Sequence, residues 1–405
     1  MCTKKVVIVS AVRTPFDKFG GIMKEISSIL LGEEVLRNVV DRINLSKEKV
    51  EEIFYGTAVH AEIAPDTNVP VRQALLRAGF PSSTVSMTVD RACCSSMTAF
   101  QLAYKAIKNG EISIAIAAGA ENLSNVPYLV KGARWGKRLG HIMMEDQMDA
   151  VGYKGWNPVS MDASEVAVEY GVSREDQDKW AFQSQQRYAR AKEAGKFKDE
   201  IIPYAVEVSK GKTILLEEDQ SPRPDTTLEK LAKLPTIYNT PTVTAGNAPG
   251  LSAGASAILL MSEEKAGELN FEPLAYVRDV ASFADEARKI ACVPAGAIKK
   301  LIDKNKMTLN DINLIEINEA FAAMPLVSTK ILADGDPNQL KRLRSITNVN
   351  GGAVALGHPM GASGVRIIAT LMYELRRRGG GIGIAAICGG LAQGDGVMIE
   401  CTKKA

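Results

Sequence analysis

The chain has 405 residues, which is long enough for two or more domains. Its 49 lysines and arginines balance 47 aspartates and glutamates, so the net charge of +2 gives no sign of a nucleic-acid or membrane-surface partner. No apolar run approaches the roughly 20 residues of a membrane-spanning helix. The opening segment MCTKKVVIVSAVRTPF does not read as a secretory or transit leader. We therefore expect a cytoplasmic protein without nucleic-acid or membrane partners.

The six cysteines, at positions 2, 93, 94, 292, 388 and 401, are scattered along the chain. None lies in C-x-x-C spacing, so the sequence predicts neither a disulfide framework nor a metal site. Free thiols suit a reducing compartment, which agrees with a cytoplasmic location.

The first strong pattern surrounds the adjacent cysteines Cys93 and Cys94. The segment VSMTV (85–89) alternates as a strand does, and helical spacing of apolar residues follows the cysteines as far as an Asn-Gly stop. ISIAIAAG (112–119) then has the composition of a buried strand. The pattern predicts strand, tight turn, helix and strand, with Cys93 in the turn.

The middle of the chain, from about 120 to 250, is more charged and contains few strand-like runs. Residues 173–197 predict an amphipathic helix capped by Ser173, and 221–235 predict a loop with a short helix. The run 242–262 then returns to small and apolar residues.

A second strand–loop–helix–strand unit is predicted near the C-terminus. SITNV (345–349) has the pattern of a strand, NGGAVALGHPMGASG (350–364) that of a glycine-rich loop, and IGIAAICGG (382–390) that of a buried strand. A helix between them ends at Gly379–Gly381. Two similar units indicate an internally duplicated α/β layer structure.

Cys93 is the first candidate for chemistry. A cysteine in a strand-to-helix turn faces the unpaired N–H groups and the dipole of the helix, which favour its thiolate. Ser95 and Ser96 follow as capping hydroxyls, and Cys94 is expected to face the packed side. The alternative is that both cysteines are small buried apolar residues.

Three further residues could take part in acid–base work. His358, one of only three histidines, lies in the glycine-rich loop and could take a proton from a cysteine. Cys388 ends a buried strand and is either a core residue or a second thiol that exchanges protons. Asn318 and Glu319 end the run INLIEI; they could start a helix, or Asn318 could orient a water in an oxyanion site.

The segments DRACCSSMTA, TVTAGNAPG, NEAFAA, NGGAVALGHPMGASG and CGGLAQG, in this order, resemble the thiolase family over nearly the whole chain. The middle segments REDQD, FKDEI and RPDTTLEKLAKL resemble the loop domain of its acetoacetyl-CoA type. The resemblance implies a five-layered αβαβα fold with two similar halves. These halves would span 1–119 with 251–271 and 272–405, and 120–250 would be a loop domain that binds coenzyme A (CoA).

The resemblance also implies roles for individual residues. Cys93 matches the nucleophile, His358 its base, Cys388 the second acid and base, and Asn318 the holder of a water in one oxyanion hole. The N–H groups of Cys93 and Gly390 would form the other oxyanion hole. Contacts to CoA are implied for Arg223, Met161 and Pro249. CoA would be a co-substrate, with no permanently bound cofactor and no metal.

The implied reaction is reversible Claisen condensation of two acetyl-CoA, or thiolysis of acetoacetyl-CoA, in fatty acid metabolism. It would proceed by a ping-pong mechanism through an acyl-Cys93 thioester. An alternative is a 3-ketoacyl-CoA thiolase for longer or modified chains. The segment 126–140 resembles a tetramerising loop, so we expect a homotetramer, or otherwise a dimer.

Several positions depart from the family pattern. Cys94 and Ser96 stand where glycines are usual, Pro249 replaces a common serine, Ser160 stands where histidine is usual, and Leu391 and Ala392 replace glycines. Most of these positions are expected along the acyl or pantetheine path, so they bear on chain length more than on competence.

Three rival interpretations remain. A ketoacyl synthase of the same fold would lack the C-terminal cysteine. A non-catalytic acyl-CoA-binding scaffold would have lost a catalytic residue. A vicinal-cysteine redox or metal sensor would rest on Cys93 and Cys94 alone.

Overall fold

The structure, a computed structural model, describes residues 3–66, 68–149 and 152–402. Cys2 therefore lies outside the described residues. Within them the strands are β1 (Val6–Arg13), β2 (Asp17–Lys18), β3 (Glu52–Gly56), β4 (Val85–Val89), β5 (Ile114–Asn122), β6 (Tyr128–Leu129), β7 (Glu145–Asp146), β8 (Tyr204–Ser209), β9 (Lys212–Leu216), β10 (Ser252–Ser262), β11 (Ala275–Ala284), β12 (Leu314–Ile317), β13 (Gly381–Gly389) and β14 (Gln393–Cys401).

The helices are α1 (Ser28–Asp41), α2 (His60–Ile63), α3 (Pro70–Arg77), α4 (Ser95–Lys108), α5 (Val159–Glu169), α6 (Arg174–Glu193), α7 (Leu228–Ala232), α8 (Glu263–Glu268), α9 (Val293–Lys304), α10 (Ala323–Ala333), α11 (Pro337–Ile346), α12 (Ala353–Leu356) and α13 (Met360–Arg377). In the part of the chain that the structure describes, no helix combines the length and the apolar character needed to cross a bilayer.

The two halves of the chain share one strand order. In the first half the order is β4-β3-β5-β10-β1, with β3 parallel to both β4 and β5 and the other pairs antiparallel. In the second half the order is β12-β13-β14-β11, with β12 parallel to β13 and the other pairs antiparallel. Since order and direction both match, the duplication predicted from the two sequence units is present in the topology.

A short antiparallel pairing of β1 with β11 joins the two halves into one twisted sheet. Helices α4 and α13 lie between the halves, and their apolar faces share one core with strands from both. Helices α1 and α3 cover the outer face of the first half, and α9 and α10 cover that of the second. The layers therefore run αβαβα, as expected.

The strand predicted over 345–349 is wrong. Helix α11 continues through Ile346, and only Thr347 forms a β-bridge, parallel to Ile315 of β12. This bridge occupies the place that β4 holds in the first half. One residue suffices because Asn348 continues the contact with its side chain, exchanging hydrogen bonds with the backbone N–H and C=O of Ile317.

The charged middle of the chain packs on the rest through helices and a small hairpin, β8–β9. Helix α6 begins at Arg174, and Ser173 caps it with a full capping box, as predicted. A buried ion-pair cluster attaches this region to β1. Arg13 Nε donates to Glu200 at 2.8 Å, and both of its terminal nitrogens donate to Asp219.

We expect Asp219→Ala to destabilise the protein severely, because the buried Arg13 guanidinium would lose its bidentate partner. Phe16 N–H and the Tyr188 hydroxyl, which also donate to Asp219, would lose their acceptor. Breaking a buried pair from one side costs about 3–5 kcal/mol of the free energy of unfolding. Chemical denaturation followed by tryptophan fluorescence measures this loss.

The control for Asp219→Ala is Glu268→Ala, which breaks the exposed pair with Lys265. It should leave the denaturation midpoint unchanged, since exposed ion pairs contribute little. A similar midpoint for both variants would mean that the buried cluster does not hold the middle region on β1.

Candidate active site

Cys93 lies in the turn between β4 and α4, with its side chain half-buried in a cavity wall. The turn is tight: Ala92 adopts a left-handed backbone with φ 48°, and Cys94 N–H donates to Arg91 C=O at 3.1 Å. Cys94 is fully buried and its Sγ lies 3.5 Å from Ile387 C=O, on the packed side as expected. Of the adjacent thiols, Cys93 alone faces the cavity.

The two serines after the cysteines do not cap α4 as predicted. Ser95 Oγ donates to Ala92 C=O and accepts from Arg91 N–H, which holds the turn before the helix. Ser96 Oγ accepts from Val365 N–H of α13 at 3.2 Å. Their hydroxyls therefore fix the turn and the contact between the two central helices.

His358 is buried in the same cavity wall, just before α13. Gly357, with a left-handed φ of 104°, makes the turn that places His358. A Cβ at Gly357 would collide with Ser252 Oγ. The imidazole Nδ1 lies 2.7 Å from Ser363 Oγ, whose own hydrogen goes to Pro359 C=O at 2.9 Å. Ser363 therefore accepts from Nδ1–H, and Nε2 is left as the basic nitrogen.

Asn318 faces that basic nitrogen, with its Nδ2 3.4 Å from His358 Nε2. The orientation of the amide follows from its other contact. Arg366 Nη2, which can only donate, lies 3.2 Å from Asn318 Oδ1. The amide nitrogen therefore points toward His358.

The neighbour of Asn318, Glu319, has a structural environment. Its carboxylate accepts hydrogen bonds from α6, from the loop after α11 and from α12; the donors are Trp180 Nε1, Ser184 Oγ, Asn348 Nδ2 and Val354 N–H. Neither residue starts a helix, since α10 begins at Ala323. Glu319 therefore anchors the turn that presents Asn318.

Cys388 and Gly390 lie in the wall at the turn from β13 to β14, and Cys388 is fully buried. A Cβ at Gly390 would collide with Tyr153 Oη, so a larger residue here would displace that ring. Leu391 and Ala392, the predicted departures in this turn, both adopt left-handed backbone with φ 55° and 53°. That region disfavours side chains by roughly 1–2 kcal/mol per residue, which explains why glycines would be usual here.

Burial sets the protonation of the three central groups. It raises the pKa of Cys93, with the nearby Cys388 adding to the effect, and it raises the pKa of Cys388 to about 12. Burial and then the charge of Arg366 lower the pKa of His358 to about 3. These shifts favour two thiols and a neutral imidazole at rest over a thiolate stabilised by the helix N-terminus.

The inner cavity has a volume of about 160 Å³, and its wall is mainly apolar, including Leu123, Tyr153, Phe321 and Met360. Pro249 lines it, and so do Val159 and Ser160 of α5. Met161, the next residue of α5, is not part of the lining. The buried Ser160 hydroxyl is without a hydrogen-bond partner among the described residues, so it is free to meet a ligand.

An outer groove of about 640 Å³ continues from this cavity, and Ala248, Gly250 and Leu251 line both. Arg223 lines the groove together with Lys18 and Lys230. The structure thus places Arg223 away from Cys93, at the solvent end of one continuous path. Within the described residues, no group of acidic, histidine and cysteine side chains is placed to hold a metal ion.

Sequence reasoning missed three side chains that position the site. Ser363 and Arg366 orient His358 and Asn318, and a signal was present: both are polar residues in the otherwise apolar first two turns of α13. Buried Glu121 accepts from the N–H groups of Ala58 and Gly361, at 2.9 and 3.0 Å, and so ties the loop after β3 to the start of α13. Its position in a small-residue strand is the only local signal of that role.

Comparison with known proteins gives one consistent match. The family description "Thiolase, N-terminal domain" matches residues 6–264, and "Thiolase, C-terminal domain" matches residues 271–401. An acetyl-CoA acetyltransferase of Chromobacterium violaceum is 39% identical over 401 residues, covering 98% of this chain and 99% of the relative.

Solved structures agree with the sequence match. Human mitochondrial 3-ketoacyl-CoA thiolase superposes with a TM-score of 0.93 at 36% identity, over 99% of this chain and 100% of that one. A structure of the same human enzyme in complex with CoA gives 0.91 at 36% identity, over 98% of each chain.

We expect alkylation of Cys93 by iodoacetamide to speed up throughout the range from pH 6 to pH 9. The raised pKa of Cys93 keeps it a thiol at neutral pH, so the reactive thiolate grows by roughly tenfold per pH unit. Mass spectrometry of the peptide containing Cys93 gives the rate, with Cys93→Ala as the blank. A rate that levels off below pH 7 would instead indicate a resting thiolate–imidazolium pair.

We expect Ser363→Ala to lower the turnover of this site by about tenfold, because Nδ1 would lose the acceptor that fixes the tautomer and ring orientation. The comparison is Ser328→Ala. It removes another buried serine hydroxyl, which lies in α10 and donates to the C=O of Ala291. Ser328→Ala should retain the wild-type rate. Equal rates for the two variants would show that Ser363 is not needed to hold the imidazole.

Proposed function

The chain belongs to the thiolase family and is an acyltransferase; on this premise we propose that it is an acetyl-CoA C-acetyltransferase that uses Cys93 as its nucleophile. The observation that supports this most is the convergence of Cys93, His358 and Cys388 on one cavity, with Asn318 oriented beside His358. In the thiolytic direction the substrate would be acetoacetyl-CoA, and in the synthetic direction two acetyl-CoA.

The first half-reaction begins with proton transfer from the Cys93 thiol to His358 Nε2. The sulfur attacks the 3-keto carbon of the substrate, and the charge on its oxygen is stabilised by His358 with a water held by Asn318. The bond between C2 and C3 then breaks. The Cys388 thiol protonates C2 of the departing enolate, which leaves as acetyl-CoA, and an acyl thioester remains on Cys93.

The second half-reaction releases the acyl group. The Cys388 thiolate takes the proton of an incoming CoA thiol, whose sulfur attacks the acyl carbon. Cys93 leaves as a thiolate and recovers its proton from His358. The N–H groups of Cys93 and Gly390 would hold the oxyanion of this step.

We assign CoA to the continuous path from the cavity to the outer groove, as a co-substrate. The narrow inner part suits pantetheine and a short acyl group, and Pro249 lines it. Arg223 and the lysines of the groove suit the phosphates and adenine at the solvent end. In this assignment 120–250 is the CoA-binding loop domain, and 1–119 with 251–271 and 272–405 are the two halves.

A 3-ketoacyl-CoA thiolase for longer chains is the second candidate. The apolar lining of the inner cavity favours it, as does the human 3-ketoacyl-CoA thiolase that superposes over the full chain.

We further propose a cytoplasmic homotetramer or dimer, acting in fatty acid metabolism. In support of assembly, Trp135 and Leu139 of the segment 126–140 are 87% and 84% exposed.

Thiolysis of a 3-ketoacyl-CoA series, from acetoacetyl-CoA upward, tests the proposal. We expect the highest kcat/KM on acetoacetyl-CoA and a steep fall with chain length, because the inner cavity is small. Cys93→Ala should lower the rate by at least about 10⁴-fold. Cys401→Ala is the matched control and should stay active, because Cys401 is a buried cysteine that does not line the cavity.

The other outcomes distinguish the alternatives. A maximum at longer or branched chains would select the 3-ketoacyl-CoA thiolase. Folded protein that binds CoA but cleaves no member of the series would indicate a binding scaffold and contradict the proposal.

A further inference from the structure

We propose that Arg366 is a positioning residue of this site, which acts through Asn318 and through its charge to keep His358 ready as a base. The proposal rests on the proposed function. It adds a residue that no catalytic motif of the sequence contains, since Arg366 lies on α13 two turns beyond the His358 loop.

Arg366 is buried, at 1% exposure, and poorly paired. Its Nε and Nη1 are without hydrogen-bond partners among the described residues. The nearest carboxylate oxygen, Glu316 Oε2, lies 3.9 Å from Nη1, beyond hydrogen-bond range, and is itself unpartnered. The hydrogen bond that Arg366 does make goes to Asn318 Oδ1.

A second buried arginine shows what a structural role looks like in this chain. Arg13, at 0% exposure, makes short hydrogen bonds to both Glu200 and Asp219. Burying a guanidinium without such partners is costly, and buried polar groups are otherwise satisfied. The under-paired Arg366 is therefore better explained by its effect on the site than by a contribution to stability.

The geometry gives Arg366 two routes to His358. Ser363 and Arg366 are three residues apart on α13, so they lie on one face of the helix. Ser363 contacts the imidazole at Nδ1, and Arg366 orients the Asn318 amide that faces Nε2. One helix face thereby fixes both nitrogens of the ring.

The second route is electrostatic. The positive charge of Arg366 adds to burial in lowering the pKa of His358. The other charged and titratable groups around these two side chains are Cys93, Cys388, Glu316, Glu319, Glu200 and Arg13. Burial raises the pKa of Glu316 to about 8, so this carboxyl does not fully offset the guanidinium at neutral pH.

The test compares Arg366→Gln, which has no charge, with Arg366→Lys, which keeps the charge but not the planar fork. Arg344→Gln is the matched control, because Arg344 is half-buried, also has an unpartnered Nε, and lies on α11. For each variant, kcat and KM for acetoacetyl-CoA thiolysis are measured from pH 5 to pH 9, together with Tm.

For Arg366→Gln we expect an acid limb of the kcat profile to appear within this range, unlike in the wild type, because the pKa of His358 rises when the positive charge is lost. For Arg366→Lys we expect the pH profile of the wild type, while kcat falls by roughly ten- to a hundredfold, since Asn318 is misplaced. KM should change by less than about twofold in both variants, since neither route contacts CoA.

Wild-type kcat and pH profile in both Arg366 variants, matching Arg344→Gln, would overturn the proposal. So would a fall in kcat that only follows a fall in Tm. If Arg366→Gln does not fold, Arg366→Lys decides: a lowered kcat with the pH profile of the wild type supports the proposal, and wild-type kcat contradicts it.

Alkylation of Cys93 by iodoacetamide, measured in the same variants, separates this proposal from the proposed function. It reports the base beside Cys93 without any acyl-CoA. If wild-type protein cleaves no substrate, the proposed function fails, yet an alkylation rate of Arg366→Gln that differs from that of Arg344→Gln at pH 6 would still support the role of Arg366. Equal alkylation rates would overturn it.

Discussion

The close contact of the two central helices with the strands beneath them is the constraint on which the site depends. Gly119 of β5 lies against the backbone of Gly361, and a Cβ there would collide with its carbonyl oxygen. A Cβ at Gly364 would lie 2.5 Å from Met97 N. At this separation the first turns of α4 and α13 meet, and so do the loops that precede them. One of those loops holds Cys93, and the other holds His358.

The duplication explains why a nucleophile and a base come from segments that are far apart in the chain. Cys93 follows β4 of the first half. His358 follows the Thr347 bridge, which takes the place of β4 in the second half. The two residues therefore occupy equivalent loops of a duplicated unit. Asn318, by contrast, follows β12, and Cys388 lies at the end of β13, so both come from the second half. The chemistry is asymmetric although the scaffold is repeated.

Burial outweighs the helix dipole in setting the charge state of the site. A helix N-terminus favours a nearby anion by about 0.3–2 kcal/mol, whereas removing an ionised group from water costs several kcal/mol. The pKa of Cys93 is accordingly raised, and that of His358 is lowered. The site is thus arranged for proton transfer between neutral groups, and the hydrogen bonds of Ser363 and Arg366 decide which atoms take part.

The sequence by itself determined the family, the αβαβα architecture, the capped helix at Ser173 and the residues that line the cavity, because these depend on local periodicity and on contiguous motifs. It failed at the strand over 345–349, where tertiary contacts through Asn348 replaced a local pattern.

Only the tertiary structure decided the tautomer of His358, the orientation of Asn318 and the neutral state of Cys93. Each of these depends on hydrogen bonds and burial contributed by residues far away in sequence, such as Arg366 beside Asn318. Local spacing contains no information about such contacts.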